Sequence, residues 1–377
     1  MIKKLSCAAV LAALTALSAP ASAQTQVQLY GVLDGGLKYI DYASLDGVSR
    51  DSVFGLSSGT FYGNRFGLRG SEVLGNGLKA VFALESGFNV DTGRQSEAGN
   101  LFNRQAYLGL AGKFGTVAMG RLAGLTSAYG DFDMSWQMDP FEGGMGDAGL
   151  AAFPMPYNLD NAMVYRSPDM NGFIASAMYS FQTTGSEKAG ADNNMRYAGV
   201  AGNYSRGALW SMLAYETYLS SDAQSLAGQD DQKIIKFAVN YDFGLVKPFF
   251  AYAKGSDWRL DMNYQGGDLG GVALDTNSYL LGVTAPVAGG LLRASFQRLD
   301  GEASQASAMP VEVERDIWSV GYTYDLSKRT TVYGVVSYSV GGKSFDKDAQ
   351  AGYQMADDDG RALFNRTMTS IGLKHNF

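Results

Sequence analysis

The sequence predicts an all-β protein: a closed antiparallel transmembrane β-barrel of about sixteen strands, its long third loop folded into the lumen. Three observations carry that expectation. Apolar residues recur with a period of two along almost the whole chain, and helical periodicity is hard to find. The alternating runs reach roughly 9 to 13 residues, the length a tilted strand needs to cross a bilayer, whereas ordinary globular strands average about 5 or 6. Short and long connections alternate between the runs, as in a barrel with one smooth rim and one loopy rim.

The first segment is an address. Met1–Ala23 reads as a secretory signal peptide, with Lys3 and Lys4 before an apolar core that begins at Ala8. Ala21-Ser22-Ala23 supplies the small residues of a cleavage site, so the mature chain is expected to begin at Gln24. Cleavage also discards Cys7, the single cysteine of the 377 residues. Residues 24–377 are then expected to form one barrel domain.

Composition excludes several other classes. Aromatics are plentiful at 12% and charged residues sparse at 18%, which rules out a disordered chain. One cysteine cannot build a disulfide framework. Beyond the N-terminus no stretch reaches the roughly 18 to 20 apolar residues of a spanning helix. A net charge of −7 without a long basic run speaks against nucleic acid as a partner.

Along the mature chain Val27, Leu29, Leu33, Leu37 and Tyr39 share one face, and Gln28, Tyr30, Asp34 and Lys38 the other. Ile235, Phe237, Val239 and Tyr241 alternate with Lys236, Asn240 and Asp242. Ile371, Leu373 and Phe377 alternate with Ser370, Lys374 and Asn376, with His375 a polar intruder in the apolar row. Tight turns are expected at Gly75-Asn76-Gly77, Lys113-Phe114-Gly115, Asp169–Gly172, Ser205–Gly207, Phe243–Leu245, Ala288–Gly290 and Leu326–Lys328. Long polar connections are expected at Ser44–Ser58, Gly93–Asn100, Thr183–Asn194, Ser220–Gln229 and Gly341–Gly360. Aromatics near strand ends, including Tyr39, Phe61, Trp210, Tyr215, Tyr218, Phe249, Phe250 and Trp258, are expected to form interfacial girdles. In lipid no backbone donor may go unpaired, so the sheet must close. A ring of about sixteen strands is too wide to fill with side chains and leaves a water channel between polar inner faces.

One connection is unusually long, at about 122–159. It is rich in aromatics (Tyr129, Phe132, Trp136, Phe141, Phe153, Tyr157) and carries Asp131, Asp133, Asp139, Glu142 and Asp147, with no Lys or Arg after Arg121. Apolar anchors with clustered carboxylates predict a loop packed inside the barrel, setting negative charge at a constriction. The opposing wall is expected to be basic. Arg65 and Arg69 flank Phe66-Gly67-Leu68 and point inward if Phe66 and Leu68 face lipid, because a lipid-facing arginine at mid-bilayer costs roughly 2 to 4 kcal/mol. Strict parity puts Arg104 and Arg121 outward unless a bulge re-aims them.

Enzyme and metal motifs fail in context, and no enzyme activity, cofactor or metal is expected. Gly55-Leu56-Ser57-Ser58-Gly59 fits a nucleophile elbow with His375 following, but it is read as lying in a loop before a strand, with no helix after it. Gly75-Asn76-Gly77 precedes a strand and is a hairpin turn, not a dinucleotide loop. A single histidine and no mature cysteine leave no His/Cys metal cluster, and Asp357-Asp358-Asp359 reads as a solvated loop tip.

Taken together, these residues resemble the general porins of Gram-negative bacteria, especially the beta-proteobacterial trimeric type. The resemblance is carried by Val27-Gln28-Leu29-Tyr30-Gly31-Val32-Leu33-Asp34, Asn64-Arg65-Phe66-Gly67-Leu68-Arg69-Gly70-Ser71-Glu72, Asn103-Arg104-Gln105-Ala106-Tyr107-Leu108-Gly109-Leu110, Tyr324-Asp325-Leu326-Ser327-Lys328 and the terminal Gly372-Leu373-Lys374-His375-Asn376-Phe377. It covers nearly the whole mature chain. It implies a homotrimer in the outer membrane, in contact with lipid and lipopolysaccharide, that passes ions and small hydrophilic solutes by passive diffusion. It implies that Arg65 and Arg104 are constriction arginines, against the parity reading of Arg104. It also implies that Phe377 is the signal read by the barrel-assembly machinery. Some relatives carry a further wall arginine where this chain reads Tyr157-Asn158-Leu159-Asp160-Asn161. With the acidic loop, its absence predicts weak cation preference. A substrate-selective channel with an aromatic slide of Tyr129, Phe132 and Trp136 is one competing function; a barrel enzyme, and adhesion by the long outer loops, are others.

Overall fold

The computed structural model describes residues 25–43, 49–262, 267–304, 312–342 and 365–377. The expected leader, its cleavage site at Ala23 and Gln24, most of the Gly341–Gly360 connection and the Asp357–Asp359 run lie outside the described residues.

Seventeen strands form one antiparallel sheet. In chain order they are β1 (Thr25–Ala43), β2 (Arg50–Ser58), β3 (Arg65–Gly75), β4 (Leu78–Gly87), β5 (Gln105–Gly112), β6 (Gly115–Ala123), β7 (Asn158–Arg166), β8 (Phe173–Ser180) and β9 (Arg196–Arg206). They continue as β10 (Leu209–Leu219), β11 (Gln232–Tyr241), β12 (Lys247–Met262), β13 (Gly267–Val287), β14 (Gly290–Ala303), β15 (Glu312–Ser327), β16 (Thr330–Gly342) and β17 (Arg366–Asn376). A five-residue helix, α1 (Asp222–Leu226), sits in the β10–β11 connection behind a Ser221–Gln224 capping box.

The ring closes where β17 pairs with β1, Val32 to Tyr42 against Asn376 to Arg366. Gly31 and Phe377 exchange both backbone hydrogen bonds at 3.1 Å, so the last residue completes the seam. A Cβ at Gly31 would collide with the Phe377 ring, which is why this position is glycine.

Seventeen strands fill sixteen places, because β2 and β3 share one edge of β1. Gly35–Ala43 pairs with β2, and Thr25–Val32 pairs with β3. Asp34 breaks the line between them. Its carboxylate accepts the backbone N–H groups of Phe61 (2.8 Å) and Tyr62 (2.7 Å), and the Asn64 amide donates to its carbonyl at 3.0 Å. The 59–64 segment therefore folds inward instead of continuing the ladder. The expected long loop Ser44–Ser58 is thus corrected: its second half is the strand β2, and Ser57 lies in that strand. Ser57 opposes Gly36 on β1, whereas His375 opposes Leu33. Three residues along a strand put them on opposite faces of the wall, so they form no catalytic pair.

All seven tight turns fall at one rim, with Thr25 and Phe377. At the β3–β4 turn Asn76 and Gly77 both have positive φ (51° and 78°), as the shortest hairpin turn requires. The outward face is the apolar belt: Leu29, Phe54, Leu56, Leu108, Val200, Leu213, Leu281, Trp318, Val320 and Ile371 are all exposed. No helix is long and apolar enough to cross a membrane among the described residues. The girdle expectation divides. Tyr39, Tyr215 and Phe250 face outward, but Phe61, Trp210, Tyr218, Phe249 and Trp258 are buried inside the barrel. The four strand residues have inward parity, Phe61 is carried inward by the 59–64 segment, and each is covered from within.

Candidate functional site

What covers them is the β6–β7 connection, residues 124–157. It touches inward-facing side chains all along one side of the ring. Lys236 of β11 donates to the Thr126 carbonyl (3.1 Å), Asn240 to that of Gln137 (2.7 Å), and Ser278 of β13 to that of Ala152 (2.5 Å). Gln297 of β14 donates to the carbonyls of Asp147 and Ala148, both at 3.2 Å. Between these bonds Leu125, Phe132, Met134, Met138, Leu150 and Phe153 pack on Val164, Met178, Trp210, Met212, Leu280 and Ile317. A second cluster joins Phe141 and Met145 to Ile40, Phe61, Tyr333, Val335 and Met368. The expectation of polar inner faces is therefore corrected in part. From β7 to β15 the inner wall is substantially apolar and serves as the floor on which the loop folds.

The five loop carboxylates separate into two kinds. Asp133, Asp139 and Asp147 are buried and hold the loop together. Asp133 accepts from the backbones of Ala128 and Ser135 (2.7 Å each) and from the Ser127 and Ser135 hydroxyls. Asp139 accepts from the backbones of Phe141 and Gly143, both at 2.7 Å. Burial pushes these two carboxyls up, Asp133 to about 6 and Asp139 to about 7. Asp147 is clamped by Arg366 (2.7 and 2.6 Å) and Arg315 (3.1 Å). Although burial opposes ionisation there, the two guanidiniums hold its carboxyl well below the usual range. These three supply little field to open water, which corrects the expected row of five acids. Asp131 and Glu142 remain. Asp131 accepts from the Tyr107 hydroxyl at 2.7 Å, and Glu142 binds Tyr62 and two nitrogens of Arg293 at 3.0 Å.

Arg65, Arg69 and Arg104 gather on the β3–β5 side. Phe66 and Leu68 are 43% and 40% exposed on the outer face, which leaves Arg65 and Arg69 inward as expected. Arg104 is inward too, against the parity reading. It precedes β5, so the alternation does not bind it. Its guanidinium reaches Glu85 at 2.6 Å and lies 5.5 Å from the ring centre of Tyr129 on the loop. Arg65 meets the same Glu85 at 3.5 Å, and Arg69 stacks 3.7 Å from the Tyr30 ring centre. Arg121 sits beside a register shift and is engaged by Asp160 (2.5 Å) and Glu97 (2.9 Å).

A cavity of about 520 Å³ separates this wall from the loop. Its charged side chains are Arg65, Arg69 and Arg104 against Glu85 and Asp131, a side-chain balance of one net positive charge, and Trp136 forms part of its loop side. Glu85 is a wall acid that sequence reasoning passed over; its place opposite Gln105 and beside two arginines was visible only once the strands were paired. Lys374 of β17 also points inward. It lies 4.6 Å from the ring centres of both Phe61 and Tyr62. Phe132 is buried in the loop's core, so the proposed slide of Tyr129, Phe132 and Trp136 does not form as one surface. Among the described residues no group of three or more His, Cys, Asp or Glu side chains is arranged to hold a metal ion.

A family profile described as Gram-negative porin matches residues 8–344. An outer membrane porin protein of Bordetella pertussis is 32% identical, covering 97% of this chain and 98% of its own. Among solved structures, an anion-selective porin from Comamonas acidovorans superposes with a TM-score of 0.69 at 27% identity, over 94% of this chain and all of that one. A trimer form of OmpT from Vibrio cholerae shares the fold, with a TM-score of 0.60 at 16% identity over 94% of this chain and 99% of its own.

Proposed function

Because the chain belongs to the Gram-negative porins, we propose that its lumen is a diffusion pore filtered between the Arg65–Arg69–Arg104 wall and the 124–157 loop. The protein forms an outer-membrane channel for passive diffusion of ions and small hydrophilic solutes, and it is not an enzyme. Size exclusion comes from the loop, which fills the β7–β15 half of the barrel and leaves passage on the β3–β5 side. Charge selection comes from opposed groups: arginines on the wall and Asp131 on the loop, while Glu142 is already paired with Arg293. Such a transverse field orients water and polar solutes and penalises apolar ones.

The cavity between wall and loop carries this reading. Three arginines meet two carboxylates there, Asp131 on the loop and Glu85, which is buried beneath Arg65 and Arg104. The sign therefore reverses from the cation preference expected of an acidic loop to weak anion preference. A reversal potential in a salt gradient tests this sign. Arg69→Gln, which removes a cation without freeing Glu85, moves the potential toward cations.

In the same reading the leader is removed between Ala23 and Gln24. Three copies assemble in the membrane, and the exposed apolar belt meets lipid and lipopolysaccharide. The C-terminal strand ending at Phe377, which closes the ring against Gly31, is the element the barrel-assembly machinery recognises.

A further inference from the structure

We propose that the vestibule under the loop tip, on the β11–β14 wall, is a binding site for small aromatic carboxylates. The proposal rests on the pore reading, since the vestibule is reached through the channel. A cavity of about 480 Å³ lies there, within the range of small-molecule sites, roughly 300–1,000 Å³. Trp136 lines both this cavity and the one beside Arg65, so the two adjoin at the loop tip.

Its walls differ from those a freely passing ion needs. Trp136 and Pro140 of the loop face Phe249, Pro286 and Leu291 of the wall. These flat apolar surfaces suit a ring. Two cations border them. The Lys247 ammonium lies 5.1 Å from the ring centre of Phe249 and makes no hydrogen bond or ion pair with any described residue. Arg293 is 6% exposed; it spends two nitrogens on Glu142 and the Pro140 carbonyl, but its Nε has no partner.

The carboxylates around the cavity are already engaged. Glu142 holds Arg293 and Tyr62, Asp139 caps Phe141 and Gly143, and Asp242 accepts from the Gly244 backbone at 2.7 Å. An aromatic carboxylate completes the set: its ring rests on the Trp136 and Phe249 side, and its anionic group meets Lys247 in the field of Arg293. A ring alone leaves the ammonium unpaired, and a carboxylate alone leaves the apolar walls wet.

Single-channel recording of the purified full-length porin in KCl tests this, with benzoate, acetate or benzamide added on the side of the short turns. Benzoate is expected to give discrete, saturable blocks, and acetate and benzamide none in the same concentration range. Lys247→Gln removes the charge-assisted contact and weakens the benzoate block roughly tenfold. Trp136→Ala weakens it as well. Pores that conduct KCl but show no benzoate block, or block equally by acetate or after Lys247→Gln, overturn the site. Absence of KCl conductance overturns the pore reading itself.

Discussion

Asp147→Asn is the most informative single change, because it alters charge at one buried point of the loop and nothing in the barrel wall. The Asp147 carboxylate receives two bonds from Arg366 and one from Arg315, and the Asp147 and Arg315 side chains are both 2% exposed. Asparagine keeps the shape but leaves two buried guanidiniums without their counter-charge. Breaking a buried pair in this way costs about 3–5 kcal/mol, and one retained acceptor puts this case near the lower end. The cost falls on the loop, since the barrel ladders are untouched. At about 1.4 kcal/mol per factor of ten, local opening of residues 144–153 rises roughly a hundredfold. Hydrogen exchange in detergent reads this directly: loop amides exchange faster while β13–β17 amides keep their protection, and open-channel noise grows. Replacing Asp147, Arg315 and Arg366 together by apolar residues removes the orphan charges and recovers most of the loss. Unchanged loop protection in Asp147→Asn would refute the assignment of this triad as the loop's main electrostatic anchor.

Three further outcomes are expected. Asp133 and Asp139 have folded pKa values of about 6 and 7 against an ordinary 3.8, so the folded loop binds more protons than the released one. Their contribution is full below the ordinary value and is lost as pH rises through 6 to 7. Asp147 does not offset this, because its depressed value keeps it ionised until far more acid conditions. Loop opening, read as channel noise, is therefore expected to increase between pH ~4 and ~8, and Asp139→Asn to flatten the profile. Arg104→Gln removes the 2.6 Å partner of Glu85, leaves Arg65 at 3.5 Å, and takes the cavity's side chains from one net positive charge to none, so the reversal potential is expected to shift toward cations. Mass spectrometry of the protein recovered from outer membranes is expected to give Gln24 as the first residue; retention of Lys3 and Lys4 would contradict the leader.

The period-two pattern reveals strands such as β1, β11 and β17, because lipid-facing positions at mid-depth have to be apolar. Turn chemistry placed the smooth rim for a similar reason, as at Asn76-Gly77, where both residues adopt positive φ. The inner face was less legible. Trp210, Phe249 and Trp258 look like girdle residues in sequence, and only the folded loop reveals that they form its floor. The acids of the loop carried the same ambiguity. Asp131 and Asp133 are two residues apart and equally charged, yet one borders open water and the other is sealed among backbone N–H groups. Parity failed at Arg104 because it stands one residue before β5, where the chain has not yet entered the ladder. The inward fold at 59–64 depends on Asp34, an ordinary inward strand residue until its carboxylate is seen holding Phe61 and Tyr62.

The central claim is a water-filled pore whose charge balance is set by three wall arginines against two carboxylates. Planar-bilayer recording of the purified protein in a KCl gradient tests it most directly, since potassium and chloride move at nearly equal rates in free solution. Stepwise conductance in three equal levels per insertion is expected, with a reversal potential displaced modestly toward chloride. Folded protein that inserts without conducting would contradict the pore, and a potential displaced toward potassium would contradict the charge balance assigned to the constriction.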